Sequence, residues 1–145
     1  MYAARRAIGA YAQVGIETSV VDANPHRLIA MLFEGARAAI NLASAAMQRG
    51  DVLAKVRAFD KAISIIGQGL QASLDHQRGG EIAVQLNNLY DYMLRRLLLA
   101  NANNDLTILA EVDALLVPLQ DAWLAIGQAG QPGAAAANSH LSVVS

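Results

Sequence analysis

One stretch in the middle of the chain constrains the fold more than any other. Apolar residues between positions 81 and 100 recur at intervals of three and four, which places them on one face of a helix. Gly79 and Gly80 precede this helix and supply the backbone conformations that end one helix before the next begins. The asparagines and the aspartate in 101–105 offer side-chain oxygens that cap helix ends. The stretch predicts a long, core-facing helix between two tight connections.

Three other segments show the same helical periodicity. Asn24 followed by Pro25 indicates a helix start, because asparagine caps the free N–H groups and proline fits the first turn. This helix is predicted to end near Gln48, a second to span 52–77, and a fourth to follow Asp105. The residues expected to face the core on the four helices are, in chain order, Leu28, Ile29, Leu32, Phe33, Ala36, Ala39, Ile40, Ala43, Met47; Val52, Val56, Phe59, Ile63, Ile66, Leu70, Leu74; Ile82, Leu86, Leu89, Tyr90, Met93, Leu97, Ala100; and Ile108, Leu109, Val112, Leu115, Leu116, Leu119, Trp123, Ile126.

The connections between these helices are short, so consecutive helices must run antiparallel. The predicted fold is all-α, an antiparallel up-down four-helix bundle with a short N-terminal cap helix or arm and a disordered C-terminal tail. The length of 145 residues suits a single domain. We assign residues 1–127 to this domain, with 1–15 as the arm, and residues 128–145 to the tail, which lacks charge and periodicity.

Pro118 falls inside the predicted fourth helix. A proline there removes the hydrogen bond to the carbonyl of Ala114 and clashes with the preceding turn. A kink between Ala114 and Pro118 is therefore expected.

Composition excludes several classes of protein. The formal net charge of −1 and a pI near 6.3 argue against nucleic-acid binding through bulk electrostatics. No apolar run approaches the roughly 18 residues that span a bilayer, so no membrane insertion is expected. The chain has no cysteine and its first residues lack a secretory signal pattern. A soluble protein is the resulting prediction, and a reducing cytoplasm is permitted.

Enzymatic chemistry is disfavoured by the placement of the polar residues. None of Glu34, Glu81 and Glu111 is followed three positions later by histidine, as a di-iron bundle requires. The three histidines are scattered, so no metal site and no cofactor are predicted. Ser73, Asp75 and His76 are better explained by helix-end capping than by a catalytic triad. Gly67 and Gly69 lie within a helix without the lysine of a phosphate loop, which favours close helix packing.

A second apolar strip predicts a partner-binding surface. On the second helix it contains Ala58, Ile65 and Ala72, and on the third Leu94 and Leu98 also miss the centre of the core stripe. The alternative is that these residues form a widened flank of the core. A shallow groove floored by small residues suits an amphipathic helix laid along it.

The N-terminal arm carries apolar residues at helical spacing, followed by a polar connector. Ile8 and Tyr11 lie three apart within it. Such an arm either completes the core as a short fifth helix or reversibly covers a partner groove. The sequence leaves both open.

Several motifs together resemble one protein family. The order GGEIAxxLxxLYDYMxRRLxxANxxND, filled here by residues 79–105, is similar to flagellin export chaperones of the FliS family. IGAYAQV, NPHRLIAMLFEG, KAISII and DAW agree with the family in the same order, from the first residues to about Ile126. The tail does not share the resemblance.

The resemblance implies a function and partners. It implies a cytosolic chaperone that binds the C-terminal segment of flagellin, with an arm that covers the client surface and with Ile8 and Tyr11 able to contact the export gate component FlhA. The alternative is a self-associating helical bundle without a flagellin client, in which the outer strips close a homodimer.

Overall fold

A computed structural model of the chain describes residues 24–129. Four α-helices lie in this part: α1 Pro25–Gln48, α2 Val52–Ser64, α3 His76–Asn103 and α4 Leu106–Ala129. A π-helical segment, Ile65–Gln71, continues α2, and residues 24–129 contain no strand. The all-α bundle prediction is confirmed. The predicted arm and residues 130–145 of the tail lie outside the described residues.

The helix starts follow from local side-chain caps. The Asn24 side chain accepts a hydrogen bond from the backbone N–H of Arg27 at 2.7 Å, with Pro25 in the first turn. Asp51 caps α2 and Asp105 caps α4 in the same way. Each such cap contributes about 1 kcal/mol.

The connections use left-handed backbone conformations. Gly50 has a φ of 70° after α1, and Asn104 has a φ of 49° after α3. Gly80 breaks α3 internally, with φ 53° and ψ −127°. The predicted break at this glycine is confirmed, but the helical turn before it begins at His76. Asp75 produces that extra turn by accepting a hydrogen bond from the N–H of Arg78 at 3.0 Å, as expected for a capping residue.

The core contains most of the predicted stripe residues, with Phe33, Phe59 and Tyr90 among its largest side chains. Three predicted core residues are instead exposed: Val52 at 67%, Val56 at 38% and Ile82 at 42%. Val52 is the first residue of α2 and Ile82 follows the break at Gly80, so both lie near helix ends where the neighbouring helices give less cover.

The π-helical segment overturns the prediction of one regular helix over 52–77. An i→i+5 helix has more residues per turn than the 3.6 of an α-helix, so its buried face is rotated. Ile65, Ile66, Gly69 and Leu70 are all buried in this segment. A Cβ placed on Gly69 would lie 2.9 Å from Cδ2 of Leu32 on α1, which confirms close helix packing at this glycine.

Polar side chains connect the helices at half-buried positions. The Arg37 guanidinium on α1 binds the Asp113 carboxylate of α4 through Nε at 2.8 Å, and this hydrogen bond raises the pKa of Arg37. On α4, Glu111 accepts hydrogen bonds from the Tyr92 hydroxyl and from Arg96 Nε, and these two donors lower the pKa of Glu111. These contacts fix α4 against both of its neighbours.

The Gln71 side chain anchors the end of the π-helical segment to α3. Its amide donates to the Asn87 side chain at 3.0 Å and to the Asp91 carboxylate at 2.7 Å. At the other end of α2, Lys55 Nζ donates to the carbonyl oxygen of Asn101 and to the Asn104 side chain. The second and third helices are therefore tied together at both ends.

Among residues 24–129, one helix is long and apolar enough to cross a membrane by length and composition, namely α1. Half of its most apolar 18-residue window is buried inside the bundle. That burial is typical of a core helix.

The fourth helix continues through Pro118 to Ala129. Both Pro118 and Ala114 are exposed, so water can hydrogen-bond the Ala114 carbonyl that proline leaves without a donor. The expected kink at this position stays a prediction.

Replacing Pro118 by alanine is expected to stabilise the protein by about 1 kcal/mol, because the missing N–H donor is restored. Urea denaturation followed by circular dichroism measures the change in the free energy of unfolding. Ala125→Gly, at another exposed position of the same helix, is the control: it changes helix propensity without involving a proline. A loss of stability in Pro118→Ala would show that a bend at proline is required for packing.

Candidate partner-binding site

The predicted strip on the second helix is not an open surface. Ala58 is 6% exposed and Ile65 is fully buried at 0%, so the expectation that Ile65 lies off the core is wrong. Ala72 is half-buried. The strip follows the seam where α2 and the π-helical segment pack on α1, which explains its small residues.

The predicted contacts on the third helix divide into two classes. Leu94 is half-buried and covers Gly67, whose added Cβ would lie 3.5 Å from Cδ1 of Leu94. Leu98, one turn further along, is 60% exposed. Ile8 and Tyr11 lie outside the described residues. Of the predicted set, Leu98 is the position available to a partner without rearrangement of the described bundle.

The structure adds a groove between α1 and α2 that the sequence reasoning missed. We call it the α1–α2 groove, and its cavity volume is about 310 Å³. Its lining residues are Arg27, Met31, Glu34, Gly35, Ala38, Ala39, Leu42 and Lys61. Met31, Gly35, Ala38 and Leu42 are spaced by four, three and four residues, so the periodicity that marks a second face of α1 is present in the sequence.

The α1–α2 groove combines an apolar floor with charged edges. Leu42 is 59% exposed and Met31 half-buried, while Gly35 and Ala38 leave room for a second backbone to approach. Within residues 24–129, the side chains of Arg27, Glu34 and Lys61 form no ion pair. A groove of this kind fits an amphipathic helix.

Exposed apolar side chains also gather at the end of the bundle that holds the α1–α2 and α3–α4 connections. Val52 and Leu53 begin α2, Leu98 lies near the end of α3, and Leu106 begins α4; all four are at least 41% exposed. We call these four residues the apolar end. Exposed apolar side chains that share one end of a bundle are candidates for an interaction site.

The opposite end of the bundle is closed by an interlock between α1 and α4. The Trp123 indole Nε1 donates to the carbonyl oxygen of His26 at 2.9 Å, and His26 Nε2 donates to the carbonyl oxygen of Trp123 at 2.7 Å. The two rings stack, with centroids 4.9 Å apart. Any Cβ on Gly127 would clash with the His26 ring. This interlock ties the first turn of α1 to the C-terminal part of α4.

Comparison with known proteins agrees with this architecture. Residues 7–130 match the profile of a family described as flagellar protein FliS. The flagellar secretion chaperone FliS of Salmonella typhimurium is 53% identical over 116 residues, which cover 80% of this chain and 86% of that protein. FliSB of Pseudomonas aeruginosa is 47% identical over 85% of this chain and 96% of its own length.

A third relative, the flagellar secretion chaperone FliS of Escherichia coli, is 44% identical over 85% of this chain and 90% of its own length. The alignments span nearly the whole of each relative, and the family profile includes all four helices. The chain therefore belongs to the FliS family of flagellar secretion chaperones.

Proposed function

We propose that this chaperone is cytosolic, binds the disordered C-terminal segment of flagellin, prevents its premature polymerisation and delivers it to the flagellar type III export gate. The observation that carries the proposal is the open, apolar α1–α2 groove on a member of a secretion chaperone family. A client segment that packs as helices in a filament offers the amphipathic faces that such a groove accepts.

Binding of a disordered client requires more than one contact region on the chaperone. Ordering a disordered client costs several kcal/mol, so a large apolar footprint is needed. The α1–α2 groove and the apolar end together supply exposed apolar surface on several helices. Binding and release need no bond to be made or broken, and the proposal therefore assigns no catalytic residue, cofactor or metal.

The arm is proposed to compete with the client. In this scheme residues 1–15 cover the client surface in the free chaperone and are displaced when flagellin binds. Displacement frees Ile8 and Tyr11 to contact FlhA, which links client loading to delivery. The support for this role is the family resemblance together with the apolar residues of the arm.

Removing residues 1–15 is expected to tighten binding of a flagellin C-terminal peptide by about two- to tenfold, because the client no longer displaces a competitor. Isothermal titration of the full-length and truncated proteins measures the change. Removing residues 1–5 alone keeps Ile8 and Tyr11 and is expected to leave the affinity unchanged. Clearly weaker binding after removal of 1–15 would show that the arm is part of the binding surface.

A homodimer is the competing explanation for the exposed leucines. Light scattering with and without the flagellin peptide separates the two functions, because a client that shares the surface shifts a dimer toward a one-to-one complex. A dimer that persists at saturating peptide, with no peptide bound, would favour the self-associating bundle.

A further inference from the structure

We propose that the α1–α2 groove selects its client by charge, with Glu34 binding a basic side chain and with Arg27 and Lys61 binding acidic ones. This inference rests on the proposed function and names the chemistry of the client helix. The occupant is an amphipathic helix of the flagellin segment, with a stripe of small and apolar residues toward the groove floor.

The first support is the placement of the charges along α1. Arg27 and Glu34 lie seven residues apart on the same face, which is two helical turns or about 10.5 Å. Lys61 reaches the groove from α2. A helix lying along the floor would meet a cation and a carboxylate two turns apart on α1, and a second cation from α2.

The second support is that the charged side chains at the groove, like the exposed Arg57 and Asp60 of α2, form no ion pair within the described bundle. Arg37 on α1 is held by Asp113 and Gln120 of α4, and Lys55 on α2 is held by the end of α3. Those side chains already serve the fold. In the described part of the chain, Arg27, Glu34 and Lys61 have no comparable side-chain partner, although all three line one groove.

The floor limits how the occupant packs. The lining of α1 runs from Arg27 to Leu42, about four helical turns, and the cavity of about 310 Å³ accepts a few side chains from one face of a client helix. Gly35 and Ala38 permit close approach of its backbone, and Leu42 packs beside it. The expected client helix carries a basic residue that contacts Glu34 and acidic residues that contact Arg27 and Lys61.

Charge reversal tests the proposal with the full-length chaperone and a flagellin C-terminal peptide. Glu34→Lys and Lys61→Glu are each expected to weaken binding by about tenfold at low salt, because a favourable pair becomes a like-charge pair. The effect is expected to shrink in about 0.5 M NaCl, where exposed charges are screened. Glu81→Lys makes the same change of charge at an exposed α3 position outside the groove and is expected to bind normally.

A reciprocal change in the peptide identifies the paired residue. Replacing basic peptide residues one at a time by glutamate is expected to yield one position that restores binding to Glu34→Lys. Leu42→Asp is expected to weaken binding at all salt concentrations, because it disrupts the apolar wall of the groove.

Several outcomes would overturn the inference in distinguishable ways. Normal binding by both charge reversals, with weak binding by Leu42→Asp, would show that the groove holds the client without reading its charge. Failure of the unmodified chaperone to bind the peptide would remove the proposed function itself. Altered self-association of the charge variants in light scattering, with peptide binding intact, would show that the occupant is a second copy of this chain.

Discussion

Replacing Ile65 by aspartate is expected to unfold the bundle. The Ile65 side chain is fully buried, at 0% exposure, in the π-helical segment next to Ile66 and Leu70. A carboxylate at this position would lose water without gaining a partner, and the apolar packing of isoleucine would be lost as well. We expect the free energy of unfolding to fall by more than about 4 kcal/mol, a large share of the roughly 5–15 kcal/mol typical of a domain.

The matched control is the same kind of change at an exposed position. Leu98→Asp, at 60% exposure, is expected to change the free energy of unfolding by less than about 0.5 kcal/mol. Urea denaturation followed by circular dichroism compares the two variants. A cooperative, nearly normal transition for Ile65→Asp would mean that the residue is accessible and that the packing of the π-helical segment is different from the one described.

The width of the buried face explains why sequence periodicity misplaced Ile65. The prediction took one narrow core stripe along 52–77 and gave a widened flank of the core as the alternative. Ile65 lies seven residues after Ala58 and three after Ala62, so the three share one face of a regular α-helix, and all three are buried. The widened flank is therefore the correct interpretation of this strip. The π-helical segment begins only at Ile65, and the sequence offers no simple periodic signal for it.

Local signals were reliable because they act through neighbouring atoms. Asn24, Asp51 and Asp105 cap the helices that follow them, as their side-chain chemistry predicts. The break at Gly80 likewise follows from the backbone freedom of glycine. The helix boundaries near these residues could therefore be predicted without any knowledge of the tertiary packing.

Surface assignments were less reliable because they depend on which helix covers which face. Ala58 and Leu98 both lie off the core stripe predicted from the sequence, yet the bundle buries Ala58 and leaves Leu98 60% exposed. The α1–α2 groove has the same origin, since it exists only once Lys61 of α2 lies beside the outer face of α1. The way in which pairs of helices pack decides whether these side chains are exposed or buried. No short sequence motif encodes that packing.

Replacing Trp123 by alanine is expected to destabilise the bundle by about 3–5 kcal/mol. Trp123 is 3% exposed, stacks on the His26 ring and donates its indole N–H to the His26 carbonyl oxygen. The substitution removes the largest apolar side chain near the start of α1 and opens a cavity between α1 and α4. The separation of 97 residues between the two partners makes this interlock a long-range tie across the fold.

One further variant separates the contribution of the ring from that of its hydrogen bond, and a second serves as a control. Trp123→Phe keeps an aromatic ring and is expected to recover part of the loss, with a residual deficit that includes about 1 kcal/mol for the missing hydrogen bond. Leu124→Ala truncates the neighbouring residue, which is 42% exposed, and is expected to cost less than about 1 kcal/mol. Urea denaturation measures all three. If Trp123→Ala is no less stable than Leu124→Ala, the interlock between α1 and α4 does not hold the bundle together, and the stability must come from the core stripe alone.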